Sequence, residues 1–347
     1  MINGHGDDIY HYGGIRCNFS SNISPLIDTR PLCRHLAERL TLINHYPEPD
    51  AYSLEVLIAA KYGISPNEVL VTSGATDAIW LIAQTLRDEK TFAVKRPTFS
   101  EYADACRMYG YEEAPKGGAV RWLCNPNNPT GELRTTDTVK VLSRRHHWLI
   151  IDQSYEDYTW APLLSAQTAI DMQNVIVIHS MTKRFAIPGL RLGYITAPSA
   201  VIDRLRANYR PWAVNALAIE AGRWLLEDEG EHHSSEGEHH SSEEPYYREE
   251  MKLLLAQTRY LHERLRGIFG IHVYPTDTNF MLCSIQQSTA AELKEYLLAH
   301  HGFLIRDASN FEGLKDCHFR IATQLPEYNR ELVEAIKTYV YEIKRNA

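Results

Sequence analysis

A chain of 347 residues, 44% of them hydrophobic and 23% charged, is long enough for one large core and a smaller one, and its composition excludes wholesale disorder. The excess of 44 acidic over 36 basic residues gives a net charge of -8, which leaves no broad basic field and excludes nucleic acid as an expected partner. No apolar run nears the ~20 residues that span a bilayer, and Met1 to Asp8 lack the basic patch and apolar run of a signal peptide, so no membrane partner and a cytoplasmic location are expected.

From residue 69 onward, short β-rich runs alternate with helical patterns, which predicts βαβ units around a largely parallel sheet. Strands are expected at Val69–Thr72, Phe92–Lys95, Val120–Cys124, Trp148–Asp152, Val175–His179 and Leu192–Ala197. Between the first two, Ile79, Ile82, Ala83 and Leu86 recur at helical spacing, so a helix directly follows Ser73-Gly74-Ala75-Thr76. The last hundred residues read differently: an amphipathic helix over 246–267, strands near 270–284, 303–307 and 317–322, and a final helix from about 327 make a smaller α+β domain. Residues 1–40 do not continue the alternation and are assigned to that domain, with 41–245 as the large one. The heptapeptide Glu229-Gly230-Glu231-His232-His233-Ser234-Ser235 is repeated at once over 236–242 and followed by Glu243-Glu244. A repeat this polar cannot bury a face, so 229–244 is expected to be an exposed insertion, and no metal site is assigned to its histidines. Six cysteines, at 17, 33, 106, 124, 283 and 317, contain no Cys-x-x-Cys pair and are expected to be reduced and mostly buried.

Chemistry concentrates in Ser180-Met181-Thr182-Lys183-Arg184-Phe185-Ala186-Ile187-Pro188-Gly189-Leu190-Arg191-Leu192-Gly193-Tyr194, between two expected strands. A lysine there leaves a strand end on the side where α/β sheets take ligands. Lysine becomes an imine former when its surroundings hold it neutral. Alone it would be a solvated loop residue, but four other segments bear on it. Ser73-Gly74-Ala75-Thr76-Asp77 opens a helix after a strand, where backbone N–H groups suit a phosphate. Asn125-Pro126-Asn127-Asn128-Pro129-Thr130-Gly131 is a turn-rich loop, Asp152-Gln153-Ser154-Tyr155 ends a strand, and His45-Tyr46-Pro47-Glu48-Pro49 lies upstream.

These five segments, in this order, resemble the fold-type I pyridoxal-phosphate enzymes, the aspartate aminotransferase superfamily. The resemblance implies an α/β large domain with a mostly parallel seven-stranded sheet, a smaller α+β domain, and pyridoxal 5'-phosphate held by Lys183 as an imine. It implies that Gly74, Ala75, Thr76, Ser180 and Arg191 hold the phosphate, that Asn128 and Tyr155 support the phenolic oxygen, and that Asp152 grips the pyridine nitrogen. Asp152 would keep that nitrogen protonated, since an opposite charge favours the charged form, and the protonated ring is the better electron sink. Phe99 or, by preference, Tyr102 is expected to cover one ring face. Tyr46 is expected to reach the phosphate of a neighbouring subunit, which makes the chain a homodimer.

Over nearly its whole length the chain is similar to the branch holding L-threonine-O-3-phosphate decarboxylases and histidinol-phosphate aminotransferases. His5-Gly6, the run Asn18 to Pro25, Pro211 to Ala218 and Ile305 to Phe311 lean to the decarboxylases. They imply conversion of L-threonine O-3-phosphate to (R)-1-amino-2-propanol O-phosphate, a step of cobalamin biosynthesis. Gln153-Ser154 in place of the usual Glu-Ala, and Tyr155 where such decarboxylases often carry Phe, keep a histidinol-phosphate or related aminotransferase as the alternative. Arg306 and Arg320 correspond to arginines for substrate anions, and two of them suit a small phosphorylated amino-acid substrate with two anionic groups. His5, Asn22 and Asn279 are expected to complete that pocket.

Overall fold

The computed structural model describes Asp7, residues 9–234 and residues 245–346, with side chains described outside 228–248 and 346. Its strands are β1 (Cys17–Asn18), β2 (Val69–Thr72), β3 (Thr91–Val94), β4 (Glu112–Glu113), β5 (Val120–Cys124), β6 (Trp148–Asp152), β7 (Val175–Ser180), β8 (Gly193–Thr196), β9 (Ile271–Val273), β10 (Phe280–Ile285), β11 (Phe303–Leu304), β12 (Arg306–Asp307) and β13 (His318–Ala322). Three of the six expected large-domain strands form at the expected residues, and the other three end within one residue of them. The missed strand, β4, is two residues long and too short to show any alternation.

Seven strands form the large sheet in the order β2-β8-β7-β6-β5-β3-β4. Every residue of β6 and β7 is buried, as strands covered by helices on both faces must be. The sheet is mostly parallel, but β8 runs antiparallel to both β2 and β7. Its first residue, Gly193, therefore lies beside Thr72 and Ser180, the last residues of its two neighbours. Only glycine fits there: a Cβ at 193 would stand 2.8 Å from the His179 carbonyl oxygen and 2.9 Å from the Ala75 nitrogen. Further along the same edge, Cys124 and Asp152 pair at the ends of β5 and β6.

The C-terminal part builds a four-stranded antiparallel sheet, β12-β13-β10-β9, covered by helices Pro245–Arg266, Ala290–His301 and Pro326–Asn346. Met281, Phe319 and Ile321 from its strands pack with Leu261, Leu293 and Leu332 from those helices, and Cys17 and Phe19 join this core as β1 pairs with β11. The N-terminal stretch is not uniform, however. Helix Arg30–Glu38 buries Leu32 among Leu54, Val71 and Leu192, so it packs on the large sheet's layer rather than on the domain to which 1–40 was assigned. Of the expected insertion, residues 229–234 continue helix Ala216–Ser234, whereas 235–244 lie outside the described residues. All six cysteines are free thiols, four of them buried. No described helix is long and apolar enough to cross a membrane.

Candidate active site

Strand ends at one edge of the large sheet open into a cavity of about 230 Å³. Lys183 lies on the four-residue helix Met181–Arg184 that directly follows β7, and its amine enters this cavity 5.8 Å from the centre of the Tyr155 ring. Burial, with the positive charges of Arg320 and Arg191, lowers its pKa to about 8 against the opposing pull of Asp7 and Asp152.

Asp152 closes the floor at the end of β6. Its Oδ1 accepts from the Ser154 N–H at 2.9 Å and its Oδ2 from the Tyr102 hydroxyl at 2.6 Å. Tyr102, preferred from sequence as a ring cover, is thus already engaged: it is buried and stacked 5.3 Å from Trp122. Phe99 meets Tyr102 edge-on at 5.8 Å and is the less buried of the two rings on the cavity wall.

An anion cradle forms where β2, β7 and β8 meet. Gly74 opens helix Gly74–Thr85 with φ +81°, and a Cβ on it would stand 2.7 Å from Nη2 of Arg191. The missing side chain lets that guanidinium lie over the helix start, whose first N–H groups have no intrahelical acceptor. Ala75, Thr76 and Ser180 line the cavity beside it.

On the opposite wall, Asn128 Oδ1 accepts from Arg320 Nη1 at 2.5 Å, and Arg320 Nη2 donates to the Ser20 carbonyl at 2.6 Å. Arg320 is buried, its Nε has no partner among the described residues, and burial lowers its pKa to about 10. Asn22 donates to the Tyr155 hydroxyl at 3.2 Å, while its own Oδ1 is without a partner among the described residues. Burial, partly offset by Arg320, raises the Tyr155 phenol to about 12.

Some expected residues stand elsewhere. Arg306 is buried opposite Arg320 in the β12–β13 pairing and donates to Asn310 at 2.8 Å, but it does not line the cavity. Asn279 is fully buried with both side-chain polar atoms unpartnered among the described residues, and it too lies off the cavity lining because it sits just before β10. Tyr46 is 84% exposed, its ring 5.1 Å from that of Trp212. His5 lies outside the described residues. Conversely, Asp7, with Ser20 and Ser21 of the run Asn18 to Pro25, lines the cavity although no site role was expected of these three. The only sequence signal for Asp7 was its place directly after His5-Gly6.

Residues 17–115 and 109–336 match the family of class I and II aminotransferases. The chain belongs to that family. Pyridoxal phosphate is therefore its cofactor, as in the solved complex of the histidinol-phosphate aminotransferase from Sinorhizobium meliloti. Among class I and II relatives, the threonine-phosphate decarboxylase of Salmonella typhimurium is 27% identical over 92% of this chain and 90% of its own. L-threonine-O-3-phosphate decarboxylase from Porphyromonas gingivalis superposes with a TM-score of 0.83 at 35% identity, covering 94% of this chain and 99% of that one. The residues present fit the cofactor chemically. The cradle supplies donors for a phosphate, Asp152 an anion for a pyridinium, and Lys183 an amine that is largely neutral above about pH 8. Uptake of pyridoxal phosphate by cofactor-free protein is accordingly expected to accelerate with pH and level off just above 8. An ordinary lysine would keep accelerating past 10. Stopped-flow absorbance across that range checks this, and a rate still climbing at pH 10 would contradict it.

Proposed function

We propose that the chain decarboxylates L-threonine O-3-phosphate to (R)-1-amino-2-propanol O-phosphate. The observation that carries this over transamination is the likeness to the Porphyromonas gingivalis decarboxylase across 94% of the chain. Bound here, pyridoxal phosphate supplies an aldehyde for the Lys183 amine and a ring that draws electrons from the substrate's α-carbon.

Gly74, Ala75, Thr76, Ser180 and Arg191 hold its phosphate in this reading. Asp152, steadied by Tyr102 and Ser154, faces the ring nitrogen, while Asn128 and Tyr155 flank the phenolic oxygen. Phe99, rather than the Tyr102 preferred from the sequence, takes the ring face. Tyr46, exposed on its own subunit, reaches the partner's phosphate in a homodimer. Arg320, whose Nε has no partner among the described residues, takes the substrate's anionic end, with the Asn22 amide NH2 beside it. Arg306 adds positive potential from the neighbouring strand. Orientation would decide which bond at the α-carbon the bound cofactor activates, so cavity residues that hold the substrate's carboxylate in the reactive position would select loss of CO2. Lys183 is then placed to return a proton to that carbon.

Histidinol-phosphate transamination is the second reading, favoured by the 25% identity to histidinol-phosphate aminotransferase 2 of Archaeoglobus fulgidus over 92% of both chains. Purified protein would be given threonine phosphate, and separately histidinol phosphate with 2-oxoglutarate. CO2 release without keto-acid consumption is expected; glutamate formation in the second mixture would overturn the decarboxylase.

A further inference from the structure

Directly after Tyr155 the chain makes one 3-10 turn, Glu156–Tyr158, and all three of its side chains reach the segment that carries Lys183. Glu156 Oε1 lies 2.8 Å from Nδ1 of His179, a buried ring one residue before the end of β7. Asp157 pairs with Arg184 at 2.7 Å. The Tyr158 hydroxyl donates to the carbonyl oxygen of Lys183 itself at 2.6 Å and accepts from the Ser24 N–H at 3.0 Å. Ser24 follows directly on the run from Ser20 to Ile23 that lines the cavity.

One phenol oxygen therefore joins three walls of the site: the loop after Asp152, the lysine turn and the N-terminal segment. Tyr158 is 1% exposed, packed among Met251, Leu254 and Phe280. Burial holds its phenol well above the ordinary value, so it stays protonated and donates and accepts at once. Both contacts are to main-chain atoms, which fixes the path of the backbone rather than one rotamer.

We propose that Tyr158 is a positioning residue whose hydroxyl registers the cavity's N-terminal wall against the main chain carrying Lys183, so that substrate and amine meet at a set distance. This rests on the site reading above. Phenylalanine at 158 keeps the ring's packing and removes only the two hydrogen bonds, so a residue that merely fills space would tolerate the change.

The test uses the cofactor-loaded full chain and its Tyr158→Phe variant. We expect kcat to fall roughly tenfold or more, since small misplacements of reacting groups carry large rate costs. The pH titration of the bound cofactor's visible absorption should move, and the Ser24 amide should exchange faster with deuterium. Unchanged kcat, titration and exchange would overturn the proposal, as would a variant that fails to accumulate, which would assign the hydroxyl to folding. Asp157→Asn, which loosens Arg184 but leaves Tyr158 in place, should shift the titration without releasing Ser24. If it releases Ser24 equally, the coupling does not run through the phenol. Failure of the site reading looks different: the unsubstituted chain would then gain no visible band with pyridoxal phosphate.

Discussion

Lys183→Ala is expected to lower kcat at least about a thousandfold, because in the proposed reading the same amine would bind the cofactor's aldehyde and move the proton at the α-carbon. The variant should also lose covalent fixation of pyridoxal phosphate by borohydride, read as a mass increment on the peptide containing residue 183. A variant that kept most of its turnover, or that fixed the cofactor on another lysine, would remove the basis for the assignment.

Asp152→Asn should cost roughly 100- to 1000-fold in kcat while leaving cofactor uptake nearly intact. The amide keeps the shape of the carboxylate: its one oxygen can still accept from the Ser154 N–H, and its NH2 can donate to the Tyr102 hydroxyl, which then turns acceptor, so residue 152 stays held at both ends. What it loses is the negative charge, and with it the ion pair that, in the proposed reading, would keep the ring nitrogen protonated. In the proposed reading uptake would depend on Lys183 and on the cradle at Gly74 and Arg191, so the binding curve and the rate should separate. Equal turnover in the two proteins would show that Asp152 does not face the ring nitrogen.

The large domain's strands were legible because parallel strands buried on both faces read as short continuous apolar runs. Lys183, Asp152, Asn128 and Arg191 line one cavity, each at or beside a strand end or in the loop that follows one, and Arg320 joins them from the middle of β13. Side-chain commitments were not legible. Nothing in Pro97-Thr98-Phe99-Ser100-Glu101-Tyr102 shows that the second aromatic is already bonded to Asp152 and stacked on Trp122. Nor does alternation along β12 and β13 reveal that Arg306 faces Asn310 while Arg320 faces the cavity. Tyr158 carries no signal in the sequence for the same reason: its partners lie 25 and 134 positions away, and only the folded chain brings them to one oxygen.

The reversed direction of β8 governs how the chain tolerates change in length. A parallel crossover returns to the far side of the sheet, where an added residue meets solvent. The link from Ser180 to Gly193 turns back on the ligand's own side, with Lys183 near its beginning and Arg191 near its end. Deleting or inserting one residue between them would shift the two cations relative to each other, so spacing in this stretch is as tightly held as residue identity.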